Sequence, residues 1–359
     1  CTRVRGLTAL AIMSAAISVN AFAQDDDEVT GLIQSIKDVV MVYDTLQQQA
    51  DIPISVEVLS QQELDMIALV HPAEALNRVA GVNIHRGSGQ EHLTAIRSPV
   101  LTGGSGAGSF LYLEEGVPLR AAGFANVNGL FEAGTEFASS IDVIKGPGPA
   151  TYGSNAVHGL VNVETFDTGA NDGRLAIKGS DDGYVSIMAS KVSSLKSSDL
   201  LTSIALISDN GFRADSGFDQ QNIQFKYQGN AGLEWDIDWL TSFQNLNQET
   251  AGFIQGVNAY KDENLRFTNP NPEAFRDAKS YRTQARLERK VGENTLALTP
   301  YARCTELRFL RHFVPGQALE KNAHSSVGFQ SALYKEGREG FNIGIDAEYT
   351  KGEVYEFQA

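Results

Sequence analysis

The sequence predicts two regions of different fold class: a small α+β domain, followed by an all-β antiparallel barrel that spans a membrane. The first region mixes helix and strand patterns and contains many glycine turns. From about residue 173 the chain changes to strand patterns alone, in which apolar and polar side chains alternate with a period of two. Segments of about ten residues with one apolar and one polar face are typical of barrel strands with a lipid side and a wet lumen.

The N-terminus carries the features of an export signal. Two arginines precede an apolar stretch over residues 7–19, and Ala21-Phe22-Ala23 forms an A-x-A cleavage site before Gln24. The apolar stretch is shorter than the roughly 20 residues that a membrane-spanning helix needs. We therefore expect residues 1–23 to be a signal peptide and the mature protein to begin near Gln24.

Residues 52–165 read as the α+β domain. A strand pattern over residues 53–59 leads into a capping box formed by Ser60 and Glu63. A second helix opens at Pro72 and ends at Gly81. Further strand patterns follow over residues 82–85, 93–97, 110–113, 140–144 and 160–163.

The barrel region shows its clearest alternation around two tryptophans. Trp235 and Trp239 alternate with Asp236 and Asp238, so we expect the rings to face lipid and the carboxylates to face the lumen. Short turns near residues 229–232 and 291–293 alternate with long loops, the longest over residues 247–278. A soluble β-sandwich or a secreted barrel would also show alternating strands, and this rival stays open on the pattern alone.

Strand counting bears on the size of the barrel. Residues 173–359 have room for roughly eight or nine strands. An eight-stranded barrel is filled by its own side chains, whereas a 22-stranded transporter holds a plug. The first 165 residues could not fit inside so small a barrel, and the chain starts at Cys1 and stops in mid-pattern at Ala359. We therefore expect an N-terminal fragment of a larger barrel.

Six segments between residues 38 and 162 resemble, in order and spacing, the plug domain of TonB-dependent receptors. They are the acidic-then-apolar Asp38-Val39-Val40-Met41-Val42, the strand at 51–56, the helix and turn at 75–82, the strand end at 94–97, the LxDGVPL-like stretch at 111–119, and the glycine-rich turn from 141 onward that contains Lys145, Gly146, Pro147, Tyr152 and Gly153. The sequence departs from the family pattern in Ala80 for proline, Ser98 for glycine, Glu115 for aspartate, and His158 for a small residue.

The resemblance implies a plugged outer-membrane receptor of a Gram-negative bacterium that takes up a scarce small molecule, most often a ferric siderophore. Residues 24–51 would be a periplasmic leader whose segment 38–42, the TonB box, binds the TonB energy-coupling protein. Residues 52–165 would be the plug, and residues 173–359 a partial barrel in contact with outer-membrane lipid. By matching order, the apical plug loops would offer ligand contacts from Arg86, His92, Ser98, Arg120 and Phe124.

Composition and motifs argue against several other classes. The net charge of −15 and the absence of a basic run argue against a nucleic-acid partner. The six histidines form no metal motif, although His85 and His92, expected in a loop, could meet a haem. We expect no enzyme activity, cofactor or metal. The open alternatives are the same architecture importing cobalamin, haem or a glycan, a passive porin or adhesin, and a soluble secreted binding protein.

Overall fold

A computed structural model describes residues 55–99, 109–124, 129–148, 152–169, 173–232, 234–335 and 340–358. The predicted signal peptide, leader and TonB box lie outside these ranges, as do most residues of the glycine-rich loop after Ser98. The described residues form one five-stranded, one nine-stranded and one two-stranded sheet. None of the helices in the described part of the chain is long and apolar enough to cross a membrane.

The five-stranded sheet forms the core of the first region. Its members are β1 (Ser55–Ser60), β4 (Phe110–Glu114), β5 (Val117–Pro118), β6 (Ala138–Lys145) and β7 (Gly159–Thr165), while β2 (Val82–Arg86) and β3 (His92–Ile96) form a separate hairpin. The sheet order is β1-β6-β7-β4-β5, with β4 parallel to β7 and the other pairs antiparallel. Each of the five strands predicted after Gly81 is present, and its ends lie within two residues of the predicted ones. We call the described residues 55–169 the inner unit.

Two helices precede the hairpin. α1 (Gln61–Ile67) begins with the predicted capping box, in which the Ser60 N–H donates to the Glu63 carboxylate at 2.8 Å and the Glu63 N–H donates to the Ser60 hydroxyl. α2 (Ala73–Leu76) is shorter than predicted. Directly after it, the Asn77 side-chain amide binds both backbone groups of Ile84, at 2.6 and 3.0 Å, and this fixes the turn toward β2.

The nine-stranded sheet is an antiparallel meander, which we call the wall. Its strands are β8 (Gly173–Gly179), β9 (Val185–Leu195), β10 (Ser198–Asp209), β11 (Phe218–Ala231), β12 (Trp235–Glu249), β13 (Phe275–Val291), β14 (Asn294–Leu310), β15 (Leu319–Lys335) and β16 (Phe341–Phe357). Each strand pairs with the next one along the chain, so β8 and β16 lie at the edges. Within the described residues the wall is thus an open sheet, with a strand count inside the predicted range.

The two ends of the wall differ in the length of their connections. At one end the strand ends joined by short connections lie together, those of β9 and β10, β11 and β12, β13 and β14, and β15 and β16. Loops over 180–184, 210–217, 250–274 and 311–318 lie at the other end. We call these the turn end and the loop end. The longest loop is shorter than the predicted 247–278, because β12 continues to Glu249 and β13 already begins at Phe275.

The alternation predicted for the wall is confirmed. On β12 the Trp239 ring points outward with 47% of its surface exposed, while Asp238 on the next position points inward, 3.7 Å from the Lys226 ammonium group of β11. Lys226 points inward and is buried, whereas its neighbours in the chain, Phe225 and Tyr227, point outward. The outward face is apolar and the inward face polar, as expected for a wall between lipid and a wet lumen.

The outward position of Trp239 gives a direct test in the intact protein. In a Trp235→Phe variant, brominated lipid should quench the fluorescence of Trp239, because its exposed ring lies on the outward face. The indole N–H donates to the Thr283 hydroxyl at 2.8 Å, which holds the ring there. Stronger quenching by aqueous iodide than by brominated lipid would show that this face is wet.

Candidate functional site

The inner unit lies against the inward face of the wall and is joined to it by buried charges. Glu114, at the end of β4, has no exposed surface. Its carboxylate accepts hydrogen bonds from Arg282 of β13 at 2.7 Å, from the Ser242 hydroxyl of β12 at 3.2 Å, and from the Gly134 N–H at 2.9 Å. The wall therefore supplies the positive charge that this inner-unit carboxylate needs to remain buried.

A second buried carboxylate lies beside Glu114. Glu132, in a short 3-10 turn (Leu130–Glu132), accepts a hydrogen bond from the Arg120 Nε at 2.7 Å. Arg282 also donates to the backbone carbonyl of Glu132. Glu114, Arg120, Glu132 and Arg282 thus form one connected set, which we call the central ion cluster. Nearby, Arg303 of β14 donates to the Pro118 carbonyl and pairs with Glu348 of β16 at 2.6 Å.

Lys226 of β11 is a third buried cation of the wall, after Arg282 and Arg303, and it lies nearer the turn end. The Lys226 ammonium group lies 3.0 Å from Glu115, 2.8 Å from Asp167 and 3.7 Å from Asp238. Glu115 also accepts a hydrogen bond from the Thr165 N–H at 2.9 Å. Burial alone would raise the pKa of Glu115. The charge of Lys226, a hydrogen bond with the Glu164 side chain and the hydrogen bonds from Thr165 outweigh burial and lower this pKa from 4.5 to about 2.

This lowered pKa predicts a pH dependence of stability. Because the folded-state pKa of Glu115 lies below its ordinary value, its contribution should be complete above about pH 4.5 and be lost as the pH falls toward 2. The measurement is the free energy of unfolding of the intact protein and of Glu115→Gln between pH 2 and pH 7. The difference between the two proteins should be largest at neutral pH and small at pH 2. A difference that does not change with pH would contradict this role of Glu115.

At the loop end, the tip of the β2–β3 hairpin contacts the wall. The Gln90 N–H donates to the Gln248 side chain at 2.8 Å, and the Ser88 hydroxyl accepts from the Ala251 N–H at 3.1 Å. Glu91 pairs with Arg276 of β13 at 3.1 Å. The hairpin tip is therefore fixed to the wall at both the start and the end of its longest loop.

The hairpin also carries two of the predicted ligand contacts. Arg86 and His92 are direct partners in the β2–β3 ladder. Arg86 is partly exposed and pairs with Glu74 at 3.2 Å, whereas His92 is buried and its pKa is lowered by burial to about 4. At neutral pH His92 therefore carries no charge for a ligand. The expectation of loop histidines is wrong for His85 and His92, because both lie on strands.

The remaining predicted contacts lie in two other segments. Arg120 is buried in the central ion cluster, and its charge helps to lower the pKa of His92. The Phe124 ring stacks on the His324 ring of β15, with their centroids 4.5 Å apart. Ser98 follows β3 and is partly exposed. Arg120 and Phe124 are thus brought to the wall together, and the ligand role of all five residues stays a prediction.

The predicted glycine-rich turn is a structural element. Gly146 and Gly153 have φ angles of +112° and +85°, where a side chain would be strained. Gly148 packs so closely that an added Cβ would lie 2.6 Å from that of Ala156. Lys145 pairs with Glu57 of β1 at 2.9 Å. Tyr152 is buried in a small apolar cluster, and Pro147 lies between the two turn glycines Gly146 and Gly148.

A cavity of about 240 Å³ lies between α1, with the segment 68–72 that follows it, and strands β8 and β9 of the wall. Its lining includes Glu136, whose pKa is raised by burial, and Lys178, which donates to the Leu69 carbonyl at 3.0 Å. This volume and polar lining suit several water molecules. Among the described residues, no group of three or more His, Cys, Asp or Glu side chains could hold a metal ion.

The buried charges of the interface are the functional residues that the sequence interpretation missed. A signal was present, since Lys226 and Arg282 occupy inward positions of strands whose alternating pattern was recognised. A charge at an inward position could equally line water. Only the three-dimensional arrangement shows that the carboxylates of Glu114 and Glu115 lie opposite these cations.

Comparison with known proteins gives a consistent result. Residues 48–160 match the family model of the TonB-dependent receptor plug domain. A stretch of 153 residues is 29% identical to the vitamin B12 transporter BtuB of Vibrio vulnificus, covering 41% of this chain and 23% of that protein.

Solved structures extend the likeness of the fold over the inner unit and the wall. The ferripyoverdine receptor of the outer membrane of Pseudomonas aeruginosa superposes with a TM-score of 0.72 at 11% identity, over 90% of this chain and 45% of that one. The ferric yersiniabactin uptake receptor of Yersinia pestis gives a TM-score of 0.66 at 13% identity, over 84% of this chain and 49% of that one. The chain thus spans less than half the length of these structures.

Proposed function

We propose that this chain, whose residues 48–160 match the TonB-dependent receptor plug model, is part of an outer-membrane receptor of that family that imports a ferric siderophore. The inner unit is its plug and the wall is part of its barrel. In this proposal residues 1–23 are the signal peptide, residues 24–51 the periplasmic leader, residues 52–165 the plug and residues 173–359 the barrel portion.

One observation carries the proposal: the inner unit is seated on the polar inward face of the wall through buried ion pairs. A passive pore needs an open lumen, but here the lumen side is covered by a folded unit with its own apolar core. The carboxylates of Glu114 and Glu132 are buried and bound by arginines on both sides of the interface. Passage of a solute therefore requires that the inner unit move or rearrange, which favours gated transport over a porin or an adhesin.

Movement of a unit held in this way needs an energy source, which the outer membrane does not have. We assign the coupling to Asp38, Val39, Val40, Met41 and Val42, which lie between the export signal and β1. An extended segment of this kind can add as a strand to the sheet of a periplasmic partner, with main-chain hydrogen bonds providing affinity. The partner in this proposal is the TonB energy-coupling protein.

The ligand site in this proposal lies at the loop end, between the inner unit and the wall loops. Arg86, partly exposed beside its partner Glu74, offers a cation for an anionic iron chelate, and Phe124 offers a ring for an aromatic part of that chelate. Cobalamin is the second candidate, because the 29% identical relative is a vitamin B12 transporter. We propose no catalytic activity for this chain.

The ligand class is tested on the intact receptor with labelled ferric siderophores and labelled cobalamin. We expect binding of a ferric siderophore, weakened about fivefold by Phe124→Ala, since loss of one good ring contact costs roughly 1 kcal/mol. Arg289→Ala at the turn end, whose side chain is 41% exposed, is the matched control and should bind normally. Tight binding of cobalamin alone would replace the siderophore assignment, and equal binding by Phe124→Ala would exclude Phe124 from the site.

A further inference from the structure

The turn formed by residues 121–124 of the inner unit is fixed to strands β15 and β16 of the wall. Its first residue, Ala121, is buried, and the Ala121 N–H donates to Nε2 of His324 on β15 at 3.4 Å. At the other end of the turn, the Phe124 N–H donates to the Ala121 carbonyl at 2.9 Å, and the Phe124 ring stacks on the His324 ring. One histidine of the wall therefore contacts both ends of this turn.

A glycine on the neighbouring strand makes room for the ring. Gly352 of β16 is the ladder partner of His324. A Cβ added at Gly352 would lie 2.7 Å from Cε2 of Phe124 and closer still to its Cζ, so even one methyl group would push the ring away. The inward positions on either side of Gly352 carry Thr350 and Val354. Gly352 thus leaves a notch in the wall, and the edge of the Phe124 ring fills it.

The backbone at Gly352 does not itself require a glycine. The residue lies within a regular antiparallel ladder and is not among the described residues with a positive φ. A glycine inside a strand weakens the strand and often marks a close approach by another group. Besides the ring, an added Cβ would meet the Ala323 carbonyl oxygen at 3.2 Å, which a shift of a few tenths of an ångström relieves. The Phe124 ring is therefore the group that the missing side chain accommodates.

These contacts lie in the part of the molecule where the ligand site is proposed. His324 and Gly352 are each five residues from the loop end of their strands. On the inner-unit side, the Asn155 side-chain amide donates to the Ala122 carbonyl at 3.2 Å. Phe124 nevertheless remains partly exposed. The turn is thus held from both sides before any ligand binds, and the ring face turned away from His324 is open to one.

We propose that His324 and Gly352 are positioning residues, which hold the Phe124 ring in the orientation in which an aromatic part of the ligand stacks on it. A side chain that is already fixed loses less conformational entropy when the ligand binds, so the affinity is higher than for a free ring. Both residues act through Phe124 and do not touch the ligand. This inference rests on the proposed function, because it takes Phe124 as a ligand contact.

The test is a double-mutant cycle between Gly352→Ala and Phe124→Ala in the intact receptor. The affinity for a ferric catecholate, whose chelating groups are aromatic rings, is measured by isothermal titration calorimetry. Gly352→Ala should weaken binding about threefold, because the displaced ring has to be ordered again on binding. In the Phe124→Ala background the same substitution should have no further effect. Gly169→Ala is the matched control, since a Cβ added there meets no atom within 4 Å, and its affinity should equal that of the wild type.

Two substitutions of His324 separate its two contacts. His324→Phe keeps a ring for stacking but cannot accept the Ala121 N–H, whereas His324→Gln keeps a polar acceptor and has no ring. If stacking fixes the Phe124 ring, His324→Phe should bind the ferric catecholate nearly as the wild type does, and His324→Gln about threefold more weakly. The opposite order would overturn the role of His324. Heat-modifiable gel mobility confirms that each variant forms the barrel.

Hydrogen exchange tests the same contacts without a ligand. In the unliganded receptor, the amides of residues 121–124 should exchange faster in Gly352→Ala than in the wild type, because the displaced ring no longer fixes the turn. Equal exchange rates in the two proteins would overturn the proposal.

The binding results separate this inference from the proposed function. If Phe124→Ala weakens binding and Gly352→Ala does not, the positioning role is wrong and the ligand site stands. An equal loss from Gly352→Ala in the Phe124→Ala background would also overturn the positioning role, because the substitution would then act on the strand. If Phe124→Ala binds like the wild type, the ligand role of Phe124 is wrong, and the positioning role fails with it. A wild type that binds no ferric catecholate would overturn the inference, while other ferric siderophores then decide the proposed function.

Discussion

Replacement of Arg282 by alanine is expected to destabilise the docking of the inner unit on the wall by about 3–5 kcal/mol. The guanidinium group of Arg282 binds the Glu114 carboxylate at 2.7 Å and also donates to the Glu132 carbonyl. Both glutamates have no exposed surface. Removal of the arginine therefore leaves buried negative charge that neither water nor another wall cation can neutralise.

The destabilisation is measured as the change in free energy of unfolding of the inner unit in a denaturant titration of the intact receptor. Lys335→Ala is the control, because its ion pair with Glu293 is exposed to solvent and should contribute little to stability. Arg282→Ala combined with Glu114→Gln should recover part of the loss, since one buried charge is then removed. A cost for Arg282→Ala no larger than for Lys335→Ala would show that the central ion cluster does not hold the inner unit in place.

Val40→Pro is expected to reduce ligand uptake to the level of cells without the energy-coupling protein. The proposed coupling segment would pair with its partner through main-chain hydrogen bonds, and proline removes one donor and fixes φ. Val40→Ile keeps the N–H and the extended preference, so its uptake should remain close to that of the wild type. Ligand binding should survive in both variants, because the proposed ligand site lies at the loop end.

Both variants are measured in cells that carry the full-length receptor, with binding and uptake of the same labelled ligand. Normal uptake by Val40→Pro would exclude residues 38–42 as the coupling segment. Loss of binding together with uptake would show instead that the segment is a strand of the folded inner unit.

The sequence was sufficient for the parts of the fold that depend on local periodicity. The capping box at Ser60 and Glu63 and the outward position of Trp239 follow from spacing along the chain, and both are confirmed. The second helix was predicted too long, since Asn77 and Ile84 meet only after the chain has turned. Loop bounds shifted for a similar reason, because β12 and β13 continue as a paired ladder beyond the last apolar residues of their patterns.

The interface could not be predicted, because it depends on pairs that are distant in the chain. Glu114 and Arg282 are 168 positions apart, and neither stands out in the sequence. Arg120 also shows that the surroundings of a charged residue could not be predicted from the sequence. Resemblance placed it among exposed ligand contacts, whereas the structure buries it against Glu132. A charge is assigned to a ligand or to a partner only when its surroundings are known.

The central claim is that the inner unit blocks the lumen until energy is supplied from the inner membrane. The most direct measurement is accumulation of labelled ligand in cells that express the full-length receptor, with and without the TonB energy-coupling protein. We expect equal ligand binding at the surface of both kinds of cell, and accumulation only where the coupling protein is present. Equal accumulation in both would contradict the account and would identify the protein as a passive pore.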